Sequence, residues 1–529
     1  MRSIEIPQPG ERDWRYRLFE ILPGTLTWFV LLLPAVLAFI SPKLAAYFII
    51  AYLLLWFVRA VGLNVRSLQG WRILDQHRKM PWEKLNTDLE NLQARTPNVP
   101  KWHAKNIERV SKYMGHERIR PSEVFHATIV AAYNESRDVL EPTVKAIMNS
   151  NYDLKKVILI LAYEERGGAS IAKTVEDLIK EYGQAFYHAE AVMHPKDIPG
   201  EVIGKGGNIT FAGRRLKKFL DGQNIDPMRV LVTTLDSDNR PDKQYLPALT
   251  YTYCSTEDPK HASYQPIPMF LNNIWDAPAP MRVVATGNSF WMVVQSLRPH
   301  MLRNFSAHAQ PMAALIDTDF WSVRTIVEDG HQFWRSYFRY DGRYEVFPIF
   351  VPIYQDAVLT DKYTRSLKAQ FVQVRRWAWG VSDIAYVAYM GFLRPNHVPK
   401  AKLISKFTRL VEGHLSWSTA PLILLLAALV PFFVNPQSYI ANQLPQVASR
   451  LQTVAMAGIL VTLFLSMRTL PPKPERYKRH RNVWMVLQWI YLPLTTIVYS
   501  SFAAINSQTR LMFGWYLGKF DVTEKAVRK

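Results

Sequence analysis

Asp236 and Asp238 stand one residue apart in Arg229 to Pro241 (RVLVTTLDSDNRP) and are the first residues whose spacing suggests chemistry. The apolar, β-branched run Val230 to Leu235 predicts a buried strand that delivers both acids to a turn marked by Asn239 and Pro241. Alternate residues of an extended segment share a face, so the two carboxylates can point at one cation. Hard divalent ions such as Mg2+ or Mn2+ take oxygen ligands of this kind and bridge to phosphate oxygens. An isolated Asp-x-Asp is also an ordinary solvated turn, so the rest of the chain must decide.

Three further runs add acids, cations and aromatics. Val327 to Arg335 (VEDGHQFWR) sets Glu328 and Asp329 beside His331. Acid pairs commonly lie on solvated helix faces, but Val327, Phe333 and Trp334 argue for a semi-buried site, where a carboxylate with a raised pKa could act as general base. Gly204 to Asn208 (GKGGN) predicts a flexible loop whose Lys205 could approach a diphosphate closely. Gln373 to Trp377 (QVRRW) places Arg375 and Arg376 next to Trp377. Arginine neutralises phosphate and tryptophan stacks on a sugar ring, although the same run would also suit a basic amphipathic helix on a membrane.

Elements able to position these residues can be read between them. Phe125 to Tyr133 is a strand-like run ending at Asn134-Glu135-Ser136; Asp138 to Met148 has helical spacing; Lys156 to Ala162 is a second buried strand. Strand, turn, helix and strand make a βαβ unit and a parallel sheet. Ligands of such sheets sit off the carboxyl ends of the strands, where the Asn134, Glu164 and Asp236 turns all fall.

The chain has 529 residues, 49% of them hydrophobic, with 16 Trp and a net charge of +20. The basic residues gather beside apolar spans, which points to an anionic membrane face and an anionic nucleotide sugar rather than to nucleic acid. The single cysteine, Cys254, rules out a disulfide framework within the chain and suits a catalytic region facing the cytosol. Ile21 to Ile40 and Leu44 to Val61 read as a transmembrane hairpin with both ends cytoplasmic. Residues 63–122 read as surface helices near the membrane, and Ser382 to Leu393 and Lys400 to Glu412 as interfacial. Leu415 to Val434 reads as a strong span and Thr453 to Met467 as a shorter one. The basic connector Arg468 to Arg481 reads as cytoplasmic. Trp484 to Ile505 contains Pro493 and reads as interfacial or re-entrant, which keeps the tail inside. The expected organisation is a hairpin at 1–62, membrane-proximal helices at 63–122, an α/β domain at 123–382, interfacial helices at 383–414, a transmembrane region at 415–505 and a cytosolic tail at 506–529.

In this order the runs resemble those of inverting family 2 glycosyltransferases, in particular the membrane-embedded branch containing cellulose, chitin and hyaluronan synthases. The resemblance covers about 124–382 and the membrane arrangement around it. AAYNES (Ala131 to Ser136) is similar to the entry motif that contacts the nucleotide, which implicates Ala131, Tyr133, Asn134 and Glu135. GKGGN resembles the Lys-Gly loop near the diphosphate. DSD matches the motif whose first acid touches the nucleotide, here Asp236, and whose second holds the metal, here Asp238, with Asp236 beside it. Glu328-Asp329 resembles the ED pair, making Asp329 the implied base. QVRRW fits the Q-x-x-R-W pattern of processive members, with Gln373 and Trp377 at the acceptor. Phe520 to Lys525 (FDVTEK) fits the gating-loop pattern and implicates Phe520, Thr523 and Lys525. After the second strand, family members carry an Asp-rich turn that holds uracil. This chain has Ala162-Tyr163-Glu164-Glu165-Arg166 there, so Glu164 or Glu165 would substitute, and the nucleotide base is left open.

The resemblance implies a GT-A type, Rossmann-like cytosolic domain set between N- and C-terminal transmembrane helices. It implies Mg2+ or Mn2+, a nucleotide-sugar donor (a UDP-sugar foremost), and processive synthesis of a β-linked polysaccharide at the inner (plasma) membrane. The alternatives are transfer of one sugar to a lipid-linked acceptor, and a non-catalytic nucleotide-sensing or polymer-export membrane protein.

Overall fold

A computed structural model describes residues 3–114, 118–520 and 522. Its centre is one mixed sheet of eight strands in the order β3-β2-β1-β4-β7-β6-β8-β5. The strands are β1 (Phe125–Ala132), β2 (Val157–Glu164), β3 (His188–His194), β4 (Val230–Asp236), β5 (Arg240–Pro241), β6 (Ala262–Met269), β7 (His308–Pro311) and β8 (Glu345–Tyr354). The half β3-β2-β1-β4 is parallel, as the βαβ reading requires. β7 pairs antiparallel with both β4 and β6, and closes the sheet onto a second, mixed half.

Helices cover the sheet and then leave it. α1 (Trp14–Ile40), α2 (Pro42–Arg78), α3 (Trp82–Asn91) and α4 (Lys101–Tyr113) precede the first strand. α5 (Arg137–Met148) and α6 (Ala169–Tyr182) connect β1 to β2 and β2 to β3, and α7 (Lys205–Gly222) leads into β4. α8 (Tyr245–Cys254), α9 (Ala279–Ser296), α10 (Met312–Asp317), α11 (Glu328–Arg339), α12 (Tyr363–Ala378) and α13 (Asp383–Ala388) complete the α/β region. α14 (Lys400–Leu426) and α15 (Leu429–Val434) follow, then α16 (Tyr439–Thr469) and α17 (Arg481–Met512), both apolar throughout much of their length.

Alternation along the strands builds a core on each face. Val130, Leu159 and Leu161 meet α5, α6 and α8 on one side, while Ile129, Ile158 and Ile160 meet Ile209, Ala212 and Leu216 of α7 on the other. Strands buried on both faces read as continuous apolar runs, which is why β1, β2 and β4 were visible in the sequence.

Among the described residues, four helices are long and apolar enough to cross a membrane: α1, α2, α16 and α17. Several expectations change here. α2 does not end at residue 62 but runs unbroken to Arg78. α3 and α4 are surface helices with one face docked on the α/β domain: Trp82, Leu85, Leu89, Ile107 and Val110 are buried in its core. Asp383 to Ala388, expected at the membrane interface, is buried throughout and packs Ile384, Tyr386 and Val387 with residues of α11. The run Leu415 to Val434 is not one helix. Pro431 has no N–H for the carbonyl four residues back, that of Ala427, and the chain breaks between α14 and α15. Trp484 to Ile505, expected to be interfacial or re-entrant, lies inside the 32-residue α17, which is long and apolar enough to cross a membrane.

Candidate active site

The order β2-β1-β4 makes the gap between β1 and β4 a switch point, where connections depart to opposite sides and leave a crevice off the strand ends. Ala131 of β1 pairs with Ala162 of β2 and with Asp236 of β4, so three predicted turns open onto one edge. Asp236 is a third exposed there, with its carboxylate 2.6 Å from the ammonium of Lys205. Lys205 also donates to the Ser306 carbonyl at 3.0 Å. Burial works against its charge, but Asp236, Glu328 and Asp329 outweigh that and raise its pKa, so it remains a cation. One lysine thus gathers the acids of two distant motifs.

Lys205 is held by the first turn of α7, and GKGGN is not the flexible loop expected. Its glycines serve close packing. A Cβ at Gly206 would collide with the Ser322 carbonyl, and one at Gly207 would lie 2.6 Å from a Glu201 carboxylate oxygen. The Asn208 amide donates to the Ala162 carbonyl at 3.1 Å, which fastens α7 under the end of β2.

Glu328 and Asp329 occupy the first turn of α11, where the helix dipole favours carboxylates. Glu328 is 4% exposed, and Asp329 is half-buried. Burial pushes the Glu328 carboxyl up, and the neighbouring Asp329 charge pushes it further, with Lys205 opposing both. Burial likewise raises Asp329, while the Gly330 N–H, Lys205 and Arg376 hold it back. The Gly330 N–H donates to Asp329 Oδ1 at 2.7 Å. Both carboxyls are thus held above their ordinary values, Glu328 the more deeply buried and Asp329 the more open of the two. His331 faces away and pairs Nδ1 with Asp383 at 2.7 Å.

Asp238 is 6% exposed and accepts the Asp356 N–H at 2.9 Å, and its carbonyl accepts the Asn272 amide at 2.8 Å. Among the described residues no group of three or more His, Cys, Asp or Glu side chains is gathered as a metal cage. The donor set at this turn is nonetheless all oxygen, which fits a hard cation held by one or two carboxylates and completed by phosphate and water. Asp356, at the end of β8, was missed in the sequence; the apolar strand EVFPIFVPIY that ends beside it is the signal that could have found it.

Other predicted residues are placed differently. Asn134 is exposed at the turn, beside half-buried Tyr133. Glu135 is a brace whose carboxylate accepts the Tyr133 N–H at 2.7 Å and the Ser237 hydroxyl at 2.9 Å. Glu164 is buried, 3.1 Å from His194 Nδ1, and His194 Nε2 is 3.0 Å from Glu201. Burial alone would lower the His194 pKa, but hydrogen bonds to the two carboxylates raise it to about 9. Glu165 accepts the Lys196 N–H at 2.9 Å. The Glu164-Glu165 turn is thus committed to internal pairing.

The QVRRW run lies on α12. Gln373 and Trp377 line a narrow cavity with Phe270, Asn288 and Asp356. The Arg376 guanidinium stacks on the Phe520 ring at 3.7 Å, and the Phe520 N–H donates to the Ile203 carbonyl at 2.8 Å, beside Lys205. The Arg375 carbonyl accepts the Ser507 hydroxyl of α17 at 2.7 Å. Thr523 and Lys525 lie outside the described residues. A cavity of about 730 Å³ opens at the opposite edge of the sheet, near Glu123 and Arg229, and is lined by none of these residues.

No protein-family model matches this chain. No curated protein matches it either. Among solved structures it is similar to a mannosyltransferase from Pyrobaculum calidifontis in complex with GDP-Man and Mn2+, at 12% identity and a TM-score of 0.40, over 85% of this chain and 99% of that one. It is also similar to S. aureus TarS 1–349 in complex with UDP-GlcNAc, at 10% identity and a TM-score of 0.36, over 75% of this chain and 93% of that one. A third is GalNAc-T7 with UDP, GalNAc and Mn2+, at 10% identity and a TM-score of 0.33, over 55% and 56%.

Proposed function

We propose that this chain is a membrane-embedded inverting glycosyltransferase that moves a sugar from a nucleotide-sugar donor to the growing end of a β-linked polysaccharide. The observation that carries the reading is the Lys205 bridge, which brings Asp236 together with the raised carboxyls of Glu328 and Asp329 at the switch point of the sheet.

In this reading the donor diphosphate lies along Lys205 and Arg376, and Asp236 meets the nucleotide. A divalent cation on Asp238 and Asp236 would neutralise the departing diphosphate. Asp329 accepts the proton of an acceptor hydroxyl as that oxygen forms its bond to the anomeric carbon. The bond from that carbon to the diphosphate breaks, the nucleoside diphosphate leaves, and the configuration inverts. Burial holds the Glu328 carboxyl toward its neutral form, which limits negative charge beside the leaving group. Trp377 offers an aromatic floor to the acceptor sugar, and Phe520 closes the diphosphate end by stacking on Arg376. The apolar helices beside the site give a growing polymer a way outward.

The test is nucleotide release from a panel of UDP- and GDP-sugars by the full chain in lipid nanodiscs with Mg2+ or Mn2+, with the product sized. Release with one donor and a high-mass, glycosidase-sensitive product supports the reading and names the sugar. Release that requires an added lipid acceptor, with one sugar per lipid, would replace polymer synthesis by single transfer. Nucleotide binding without release from any donor would leave a non-catalytic sensor.

A further inference from the structure

A second cationic cluster lies where the apolar length of α2 ends. Val58, Val61, Leu63 and Val65 of α2 are exposed apolar side chains, and the next residue is Arg66. One turn on, Gly70 packs directly against Val293 of α9, and a Cβ there would also lie 3.5 Å from Leu297. This close approach carries Arg66 to the end of α9, where Arg298 follows. On α14, Lys402, Lys406 and Arg409 recur at spacings of four and three and share one helix face. Lys406 donates to the His300 carbonyl at 3.2 Å, which joins that face to the same loop.

Charges of one sign predominate among Arg66, Arg298, His300 and Arg409, whereas Glu345 acts on Lys406, and Asp383 and Asp329 act on the buried Arg303. Arg298 faces Arg66 and Arg409, His300 faces Arg409 and Lys406, and Lys406 faces Arg303. Among the described residues no carboxylate lies within ion-pair distance of Arg66, Arg298, Arg303, Lys406 or Arg409, and Glu412 is taken by Arg59 at 2.6 Å. Such a concentration of cations is costly unless an anion neutralises it, and phosphate oxygens match the arginine fork. Around the cluster, Trp291, Phe392 and Ile404 are exposed, and Trp291 packs edge-on against Phe305. Exposed aromatic and apolar residues flanking cations at the end of a span are the composition of a membrane–water boundary.

We propose that Arg298, Lys406 and Arg409, with Arg66, form a binding site for the phosphate of a membrane lipid headgroup, with the acyl chains lying along the exposed apolar face of α2. The site is separate from the donor cleft, and the inference does not rest on sugar transfer, because lipid binding is read with no donor present.

The experiment uses the full chain, delipidated in detergent, with native mass spectrometry and titration of short-chain phosphatidic acid, short-chain phosphatidylcholine and inorganic phosphate. One equivalent of phosphatidic acid is expected to bind at least about tenfold more tightly than phosphatidylcholine, as charge-assisted pairs to a phosphate monoester require. R298A/R409A should erase that preference, and R298K/R409K should keep most of it. Equal binding of the two lipids by the unaltered chain overturns the proposal whatever the variants do. Unchanged preference in R298A/R409A overturns the assignment to these residues. Inorganic phosphate binding as tightly as phosphatidic acid would make the ligand a free phosphate and overturn the lipid assignment.

Discussion

The ammonium of Lys205 stands 2.6 Å from the carboxylate of Asp236, and the same charge reaches Glu328 and Asp329. One buried cation therefore couples the end of β4, the start of α7 and the start of α11. Removing it should disturb donor contact and the proton-accepting acid together.

Asp329→Asn should lower turnover about 10²–10⁴-fold, the usual contribution of a positioned general base. Donor binding should be nearly unchanged, because Asp236 and Lys205 remain. Nucleotide release measured beside donor affinity by calorimetry checks both halves. Ordinary turnover in this variant would remove Asp329 from the mechanism.

The rate should fall at low pH. Asp329 must be ionised to accept a proton, and burial raises its pKa from the ordinary aspartate value, so the acid limb of kcat/KM lies higher than for a free aspartate. Lys205 holds that pKa down. Lys205→Met should therefore shift the limb to higher pH, in addition to weakening donor binding. A limb that stays in place would show that the lysine and the base act separately.

Stability should fall on the alkaline side. His194 is raised from 6.5 to about 9 by Glu164 and Glu201. A raised native pKa means that the folded state holds the proton more tightly. The contribution is complete below about 6.5 and is lost as pH climbs through about 9. Denaturant unfolding between these values should show the decline, and His194→Gln should flatten it.

Gly206→Ala should destabilise the domain by about 1–3 kcal/mol, since the new methyl collides with the Ser322 backbone carbonyl and one of the two segments must shift. Gly222→Ala, at the far end of the same helix with open space around it, is the matched control and should lose nothing. Thermal melts of the two variants provide the comparison.

Chelation should stop nucleotide release, and Mg2+ or Mn2+ should restore it. Asp238→Asn keeps an oxygen for the Asp356 N–H but loses the charge a cation needs, so it should retain the fold and lose metal-dependent donor binding. A folded Asp238→Asn variant whose donor binding still depends on metal would assign the cation elsewhere.

Local pattern alone determined the strands that carry the site. Val230 to Leu235 and Phe125 to Tyr133 are apolar on both faces because both faces of a parallel strand are covered, and each ends where its polar residues must turn toward water. The carboxyl-edge position of Asn134, Glu164 and Asp236 followed from that. Charge partners did not, because they depend on which segments the packing brings together. Glu164 sits at the expected edge, yet β3 sets His194 against it and withdraws it from a ligand. Lys205 lies in a glycine-rich run that reads as loose, yet the fit of α7 under Ser322 and Glu201 makes it rigid. α3 and α4 are charged enough to suggest a surface, and only contact with α8 and the sheet buries one face of each. Periodicity is written in neighbouring residues, whereas the electrostatic setting of a side chain is written in residues far along the chain, and only the folded structure brings those into contact.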